Sequence, residues 1–565
     1  MAILDSMKQL LLGLFLLSSV FGLAQTLTVE VPEPRFQVDN SNYLIVVYME
    51  DLEAYSDLSA YQSVFMQLGQ DTFGFNFKPT SLRYTSDFAV FNANTEYRLY
   101  FTQLPLISIV TQDSIVDEPK VAGRLTYVDA SQELTSDLGV ELRGGSTLTS
   151  PKKTLDLELW EDSVSEKSID AQFGELRSDD DWILDALYNE PLRLRSTIAH
   201  KLWLSMHTLY YQEEETKAKS GADVMYVELF LNGAYNGIYA LSEQLDRKQM
   251  KLKKYKEEIR GELYKATIWG APTYGNPPGF NNANREWAGY EMKYPKEDEA
   301  TDWQSVFDFV DFVVHSSDED FVENIWEAFD FDNHLDYFIF LNLLRATDNT
   351  GKNIYLAKYN KDEPYYNVPW DLDGCFGTIW NGTDENVTDD ILTNGLHNRV
   401  IELNPNDYET AISTRWFEYR NTILSAEQLL TTFQDQFDYF KINKIYEREA
   451  LVYPNYDFNE EDLSYLRTWL QERLVFLDSY FGQLSPVAEG EERSEILLYP
   501  NPVNGKIYLK NHTAFINKEY SVISEAGQEL LRGTIKENFI SMETLAAGVY
   551  VLLLDGGQYR FVVGE

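Results

Sequence analysis

Four oxygen-bearing residues stand where their types and spacing could do chemistry. They are Asp348 and Asn353 in ATDNTGKNIYL (346–356), and Asp371 and Asp373 in VPWDLDGCFG (368–377). Carboxylate and amide oxygens that converge on one point make an all-oxygen donor set. Such a set suits a hard cation, Mg²⁺ especially, with phosphate oxygens as the remaining ligands. An Asp-x-Asp pair in an acidic chain is more often a solvated loop, so the case rests on what would bring these residues together.

A β-hairpin would do so. Ile354 to Tyr359 is a short β-prone run, Asn360-Lys361-Asp362-Glu363-Pro364 is turn chemistry, and Tyr365 to Trp370 returns as a second strand. Position 362 lies midway between Asn353 and Asp371. An antiparallel hairpin centred there sets these two opposite each other at its open end, about 4.5–5.5 Å apart, with Asp348 close by. The run Leu335–Leu344 is apolar on most faces, as in a buried helix, and ends just before Asp348.

The rest of the chain supplies a frame. Thr154 to Leu159 alternates polar and apolar like a half-buried strand, and Pro191 to Met206 carries helical apolar spacing. Val224 to Leu241 reads as a hairpin around Asn232-Gly233, and helices near 460–482 close a mixed unit spanning 104–485. Residues 25–103 are β-rich, with alternation in Tyr43–Tyr48 and Tyr97–Phe101, as in a small sandwich or lead-in sheet. A polar linker at 486–494 precedes a separate β-module at 495–565. The expected fold class is α+β.

Bulk properties narrow the partners. The 565 residues suffice for two to four domains, and 44% hydrophobic content supports large cores. A net charge of −44 with no Lys/Arg-rich run argues against nucleic acid and anionic membrane surfaces. Lys8, the apolar run Leu10–Leu17, and the small residues Gly22 and Ala24 before Gln25 fit a secretory signal peptide at 1–24. That run is short for a membrane span, and no later segment resembles one, so an integral membrane protein is not expected. The single cysteine, Cys375, allows no intramolecular disulfide. With six histidines in the chain, a base for a catalytic thiol is scarce, and Cys375 reads as a small buried hydrophobe.

Several segments in order then resemble one family. They are LPLISI (104–109), LRGGST (142–147), PKKTLDLEL (151–159), WILDALYNEPLRLRSTIAHKLW (182–203), VELFLNGAYNGIYALSEQLD (227–246), GELYK (261–265) and VPWDLDGCFG (368–377). Together they resemble the spore-coat protein H (CotH) kinase family over roughly 104–485. The resemblance implies a divergent protein-kinase-like domain that binds ATP and Mg²⁺ or Mn²⁺ and phosphorylates Ser or Thr of a protein substrate. It places Asp348 at the catalytic aspartate and Asp371 at the metal-binding aspartate. Asp348 and Asn353 also have the spacing of the protein-kinase catalytic loop, where Asp takes the substrate proton and Asn binds metal. Asp373 would be a further ligand or a loop cap.

On the nucleotide side, Lys152 and Lys153 open a strand and are candidates for the phosphates, with Lys153 preferred. Glu243 is a candidate partner that orients the lysine, and Arg143 of the LRGGST loop could grip phosphate through its fork. The sequence departs from the family at Gly145 and Ser196, where Asn is usual. No Walker P-loop, dinucleotide fingerprint or H-E-x-x-H pattern is present. The C-terminal segments LYPNPVNGKIYL, EAGQELLRG, LAAGVYVLLLDGG and YRFVVGE resemble the type IX secretion sorting domain, a small β-sandwich. This implies the type IX machinery as a partner, and export through the periplasm of a Gram-negative bacterium to the surface or medium.

Three functions are compatible with these residues. The leading one is a secreted atypical protein kinase. The second is a non-catalytic surface or structural protein, such as an adhesin, that keeps the kinase-like fold and has a cell-surface component as partner. The third is a carboxylate-pair glycoside hydrolase, suggested by export, acidity and eleven tryptophans.

Overall fold

The computed structural model describes residues 25–268, 274–456, 458–484 and, with short gaps, 498–563. The expected signal peptide and the linker at 486–494 lie outside the described residues. The architecture is mixed α+β. It divides into two compact units, one made of the residues up to Leu204 with Gly221–Gln249 and Thr432–Asp462, the other of Ser205–Ser220, Met250–Thr431 and the residues from Leu463 onward.

The first unit opens with seven strands: β1 (Thr26–Val31), β2 (Phe36–Asp39), β3 (Leu44–Tyr48), β4 (Ser63–Leu68), β5 (Asp71–Phe75), β6 (Asp87–Asn92) and β7 (Thr95–Thr102). They form one sheet in the order β1-β4-β5-β6-β7-β3-β2. Every residue of β3 is buried, so this strand is not the half-exposed one its alternation suggests. Ile45 and Val47 enter the sheet's own core with Val29, Met66 and Leu99. Leu44, Val46 and Tyr48 face the other way and pack with Leu106, Val128, Phe230 and Tyr235. Two cores, one on each side, bury both faces.

That second core joins the sheet to a closed barrel. Its strands are β8 (Leu106–Thr111), β9 (Val121–Val128), β10 (Glu133–Arg143), β11 (Thr154–Trp160), β14 (Asp181–Asp185), β15 (Val224–Leu231) and β16 (Ala234–Glu243); β12 (Ala171–Gln172) and β13 (Ser178–Asp179) make a small ladder beside it. Closure runs β10-β11-β14-β16-β15-β8-β9 and leaves no open edge. Leu155, Leu157 and Leu159 point inward in alternation, against Tyr127, Phe173 and Trp182. The β15–β16 turn is Asn232-Gly233, with φ of 52° and 78°. Both values are left-handed, which a two-residue hairpin of this twist requires and Asn-Gly tolerates.

The second unit is built on a five-stranded sheet. Its strands β17 (Glu262–Ala266), β18 (Glu286–Trp287), β19 (Tyr290–Tyr294), β20 (Ile354–Lys358) and β21 (Tyr365–Pro369) are ordered β18-β19-β17-β20-β21. The helix Phe331–Leu344 is buried from Asn333 to Leu344. Asp330 caps its start by accepting the Asn333 N–H at 2.6 Å. Arg345, in the left-handed conformation, ends it just before Asp348. Between Leu498 and Val563 a three-stranded and a four-stranded sheet enclose a small core of their own, with Ile507, Val522, Leu552 and Phe561. No helix among the described residues is long and apolar enough to cross a membrane.

Candidate active site

The acidic residues lie in the second unit, at the mouth of the β20–β21 hairpin. Its register pairs Ile354 with Pro369 and Lys358 with Tyr365. The next pair outward is Asn353 with Trp370, whose N–H donates to the Asn353 carbonyl at 3.0 Å. Asn353 therefore faces Trp370, and Asp371 comes one residue later, a correction to the expected pairing. The cause is the turn: Tyr359 to Pro364 is an even number of residues, so the hairpin axis falls between Lys361 and Asp362 rather than on 362.

Two residues at this mouth are left-handed, Asn353 with φ 56° and Asp371 with φ 55°. Asn and Asp tolerate this region better than other side chains, and a left-handed residue cannot continue a strand. Both strands accordingly stop here. Asp348 lies on the one-turn helix Thr347–Thr350, and its carbonyl accepts the Lys352 N–H at 2.8 Å. Its side chain is 10% exposed, with the Lys352 ammonium 4.0 Å away. Asn353 is buried, Asp373 half-buried and Asp371 exposed.

Asn349 ties these pieces together. Its side-chain N–H groups donate to the carbonyls of Asn353 at 2.9 Å and Trp370 at 2.8 Å. Asp348 thus stands one residue from the amide that holds the carbonyl preceding Asp371. The loop after Asp371 is anchored in turn: Phe376 N–H donates to the Leu344 carbonyl at 2.8 Å, and Tyr465 donates to the Gly377 carbonyl at 2.8 Å. Cys375 is fully buried, its thiol donating to the Leu372 carbonyl at 3.0 Å, as a small hydrophobe would be.

The cationic candidates lie in the first unit and divide into two environments. Lys152 is wholly buried. Its ammonium donates to Glu449 at 2.7 Å and to the Ile238 carbonyl, and sits 4.6 Å over the Tyr239 ring. Burial pushes it down to about 8, against the pull of Glu449. Arg193 also donates to Glu449, at 3.1 Å, and stacks 4.1 Å from the Tyr456 ring. The other Glu449 oxygen accepts the Ile238 N–H at 2.8 Å. Lys153 keeps some exposure and donates to the Leu148 carbonyl. Arg143 pairs with Asp156 on the outer face of β11.

Glu243 is not at the lysine. It is buried at the far end of β16, accepting the N–H of Arg177 at 2.8 Å and the amide of Gln249 at 2.9 Å. Ile238, which touches Lys152, is five residues back along the strand, about 17 Å away. The acid on Lys152 is Glu449, from the helix Ile445–Val452, and a sequence separation of 297 hides it from any local pattern. Gly237 gives the network its room. Its φ is +92°, and a Cβ there would lie 2.2 Å from Glu449 Oε2 and 3.2 Å from Lys152 Nζ. Gly237→Ala is expected to lower stability by about 2–3 kcal/mol, read as a shift in the urea midpoint at unchanged slope.

Of the two departures from the family, Gly145 has φ −99° and nothing within 4 Å of where a Cβ would stand, so a side chain would fit. Ser196 is buried in the first turn of the helix Arg195–Met206. A second acidic group, not anticipated from the sequence, is built on the run Asp179-Asp180-Asp181. Glu158 with Asp180 and Asp181, and Asp170 with Asp179 and Asp180, come within metal-ligating distance in the first unit. Glu158 and Asp181 meet as a cross-strand pair of β11 and β14. Lys248 pairs with Asp179 and Asp180 there.

Residues 140–477 match the family described as CotH kinase protein. Residues 497–563 match the secretion system C-terminal sorting domain. A search of curated proteins found no match. The first match spans more than half of the sequence, and the chain therefore belongs to the CotH kinase protein family, with a C-terminal secretion sorting domain.

Proposed function

We propose that this protein is a secreted atypical protein kinase, transferring the γ-phosphate of ATP to Ser or Thr of protein substrates. One observation carries the reading: in a CotH kinase family member, the buried amide of Asn349, the residue after Asp348, bonds the carbonyl of left-handed Asn353 and the Trp370 carbonyl that precedes left-handed Asp371. Oxygen donors of these types suit Mg²⁺ or Mn²⁺. In this reading Asp348 accepts the proton of the substrate hydroxyl. Asn353 and Asp371 hold the ion, which when bound neutralises phosphate charge, and Asp373 supports it from the same loop. Lys153, the lysine that keeps exposure, and Arg143 serve the phosphates, while Lys152, paired with Glu449, holds the chain just before Lys153 against Ile238. Catalysis of this kind is mainly positioning and charge neutralisation. The divergent protein-kinase-like fold is part of the same proposal.

The sorting domain marks a secreted or cell-surface protein that engages the type IX secretion machinery. Passage through the periplasm of a Gram-negative cell goes with the proposal. The test is transfer of label from ATP to a general Ser/Thr protein substrate with Mg²⁺ or Mn²⁺. Asp348→Ala and Asp371→Ala are each expected to lower transfer by at least about 10³-fold. Equal labelling by wild type and both variants would sink the kinase reading.

The complete burial of Lys152 favours a second reading, a non-catalytic surface protein that retains the fold. It predicts no thermal shift with Mg²⁺ and ATP together, where the kinase predicts a stabilisation.

A further inference from the structure

We propose that Asn349 is a positioning residue of the acid site, fixing the two left-handed residues of the hairpin mouth and thereby setting divalent-cation affinity without touching the ion. The proposal rests on the kinase reading only in taking Asn353 and Asp371 as cation ligands.

The geometry is specific. Asn349 is 3% exposed, and both hydrogens of its amide are committed, one to the Asn353 carbonyl and one to the Trp370 carbonyl. Its main chain is held as well: its carbonyl accepts the Tyr337 hydroxyl at 2.8 Å, and its N–H donates to the Ala346 carbonyl at 3.0 Å. Tyr337 belongs to the buried helix Phe331–Leu344, so the clasp is mounted on the most deeply buried helix of the unit. Each carbonyl it grips fixes a peptide plane next to a left-handed residue. The Trp370 carbonyl sets the plane entering Asp371. The Asn353 carbonyl sets the plane leaving Asn353.

A left-handed conformation is disfavoured by roughly 1–2 kcal/mol for residues with a Cβ, and persists where its surroundings over-determine it. At Asn353 that support is threefold: the Asn349 bond, the Trp370 N–H on the same carbonyl, and the Asn353 N–H on the Ala266 carbonyl at 3.2 Å. At Asp371, which is exposed, Asn349 holds the entering peptide plane through the Trp370 carbonyl. Asp348 precedes Asn349 directly, so the same anchor also fixes the backbone that carries the substrate-side carboxylate. Mg²⁺ demands near-octahedral geometry, and groups that orient ligands typically change metal affinity by about 10–100-fold.

The test reads Mn²⁺ binding to the full chain by calorimetry, with no turnover. Asn349→Leu is expected to weaken Mn²⁺ binding about 10–100-fold, and Asn349→Ser, which keeps one donor and folds more readily, by a smaller factor. Asn333→Leu is the matched control. Asn333 is equally buried and holds the same hairpin through Asn367, its amide donating to that carbonyl at 2.9 Å and accepting that N–H at 2.7 Å. It should lose comparable stability and bind Mn²⁺ within about twofold of wild type. Equal loss of affinity at 333 and 349, wild-type affinity in both Asn349 variants, or no Mn²⁺ binding by the wild type would each overturn the proposal. Wild type that binds Mn²⁺ but transfers no phosphate would sink the kinase and leave the role of Asn349 to be decided by the same three variants.

Discussion

Glu449→Ala is expected to destabilise the first unit by about 3–5 kcal/mol, the range seen when one member of a buried ion pair is removed. Glu449 serves two cations and one backbone N–H, all without solvent contact. Its loss leaves Arg193 to the carbonyls of Leu187, Tyr188 and Glu190, which already accept from it. Lys152 keeps the Ile238 carbonyl as an acceptor and only the weaker pull of Asp185, and burial already holds it near 8. The variant should therefore fold with Lys152 neutral. Its lysine then binds a proton in the unfolded chain that it lacks in the folded one, so stability rises with pH up to the ordinary lysine value. The gap between wild type and variant, from urea midpoints, should narrow between pH 7 and about pH 8, above which the wild-type lysine is neutral in the folded state too and the two curves run parallel. A gap that is small at pH 7, or that does not narrow, would show that Lys152 and Glu449 are not coupled as described. Glu449→Gln, which can still accept the Ile238 N–H, should fall between the two.

This network also marks the limit of what a sequence can show. The hairpin at 354–369, the Asn232-Gly233 turn, the strand at 154–160 and the helix ending at Leu344 arise from periodicity and turn chemistry, which are local. The expected register at Asn353 is off by one residue because a turn's residue count, not its composition, places the axis. Asn349 is inconspicuous between Asp348 and Asn353, since an amide that serves carbonyls leaves no charge pattern. Glu449 and the barrel closure depend on contacts between distant segments, as does the double burial of β3. Such contacts are fixed by tertiary packing, and a single sequence carries no periodic trace of them.

Buried, uncompensated groups predict acid lability in the second unit as well. His334 and His397 are fully buried, with ring centroids 4.9 Å apart in an edge-to-face arrangement. Phe338 lies 5.1 Å from His397, and Trp326, Phe329 and Tyr408 surround His334. Tyr408 bonds His334 Nδ1 at 2.9 Å, while His334 Nε2 and both ring nitrogens of His397 have no partner among the described residues. Burial pushes His397 down to about 3, and burial with the neighbouring His397 lowers His334 as well. Both imidazoles are neutral in the folded unit and take up protons on unfolding below about pH 6.5. The unfolded chain binds more protons there, so stability falls as pH falls. His397 contributes about 1.4 kcal/mol per pH unit, roughly 2–3 kcal/mol by pH 4.5, and His334 adds to the loss in the same direction. Asp330, raised by its own burial, takes a proton in the folded state and offsets part of this loss. His397→Leu should be neutral or stabilising at pH 7, since it removes two unpartnered nitrogens. At pH 4.5 it should exceed wild type by about 2–3 kcal/mol, because one proton-uptake site is gone. Urea midpoints at the two pH values decide the matter: parallel pH dependence in wild type and His397→Leu would mean that His397 is not what makes the fold sensitive to acid.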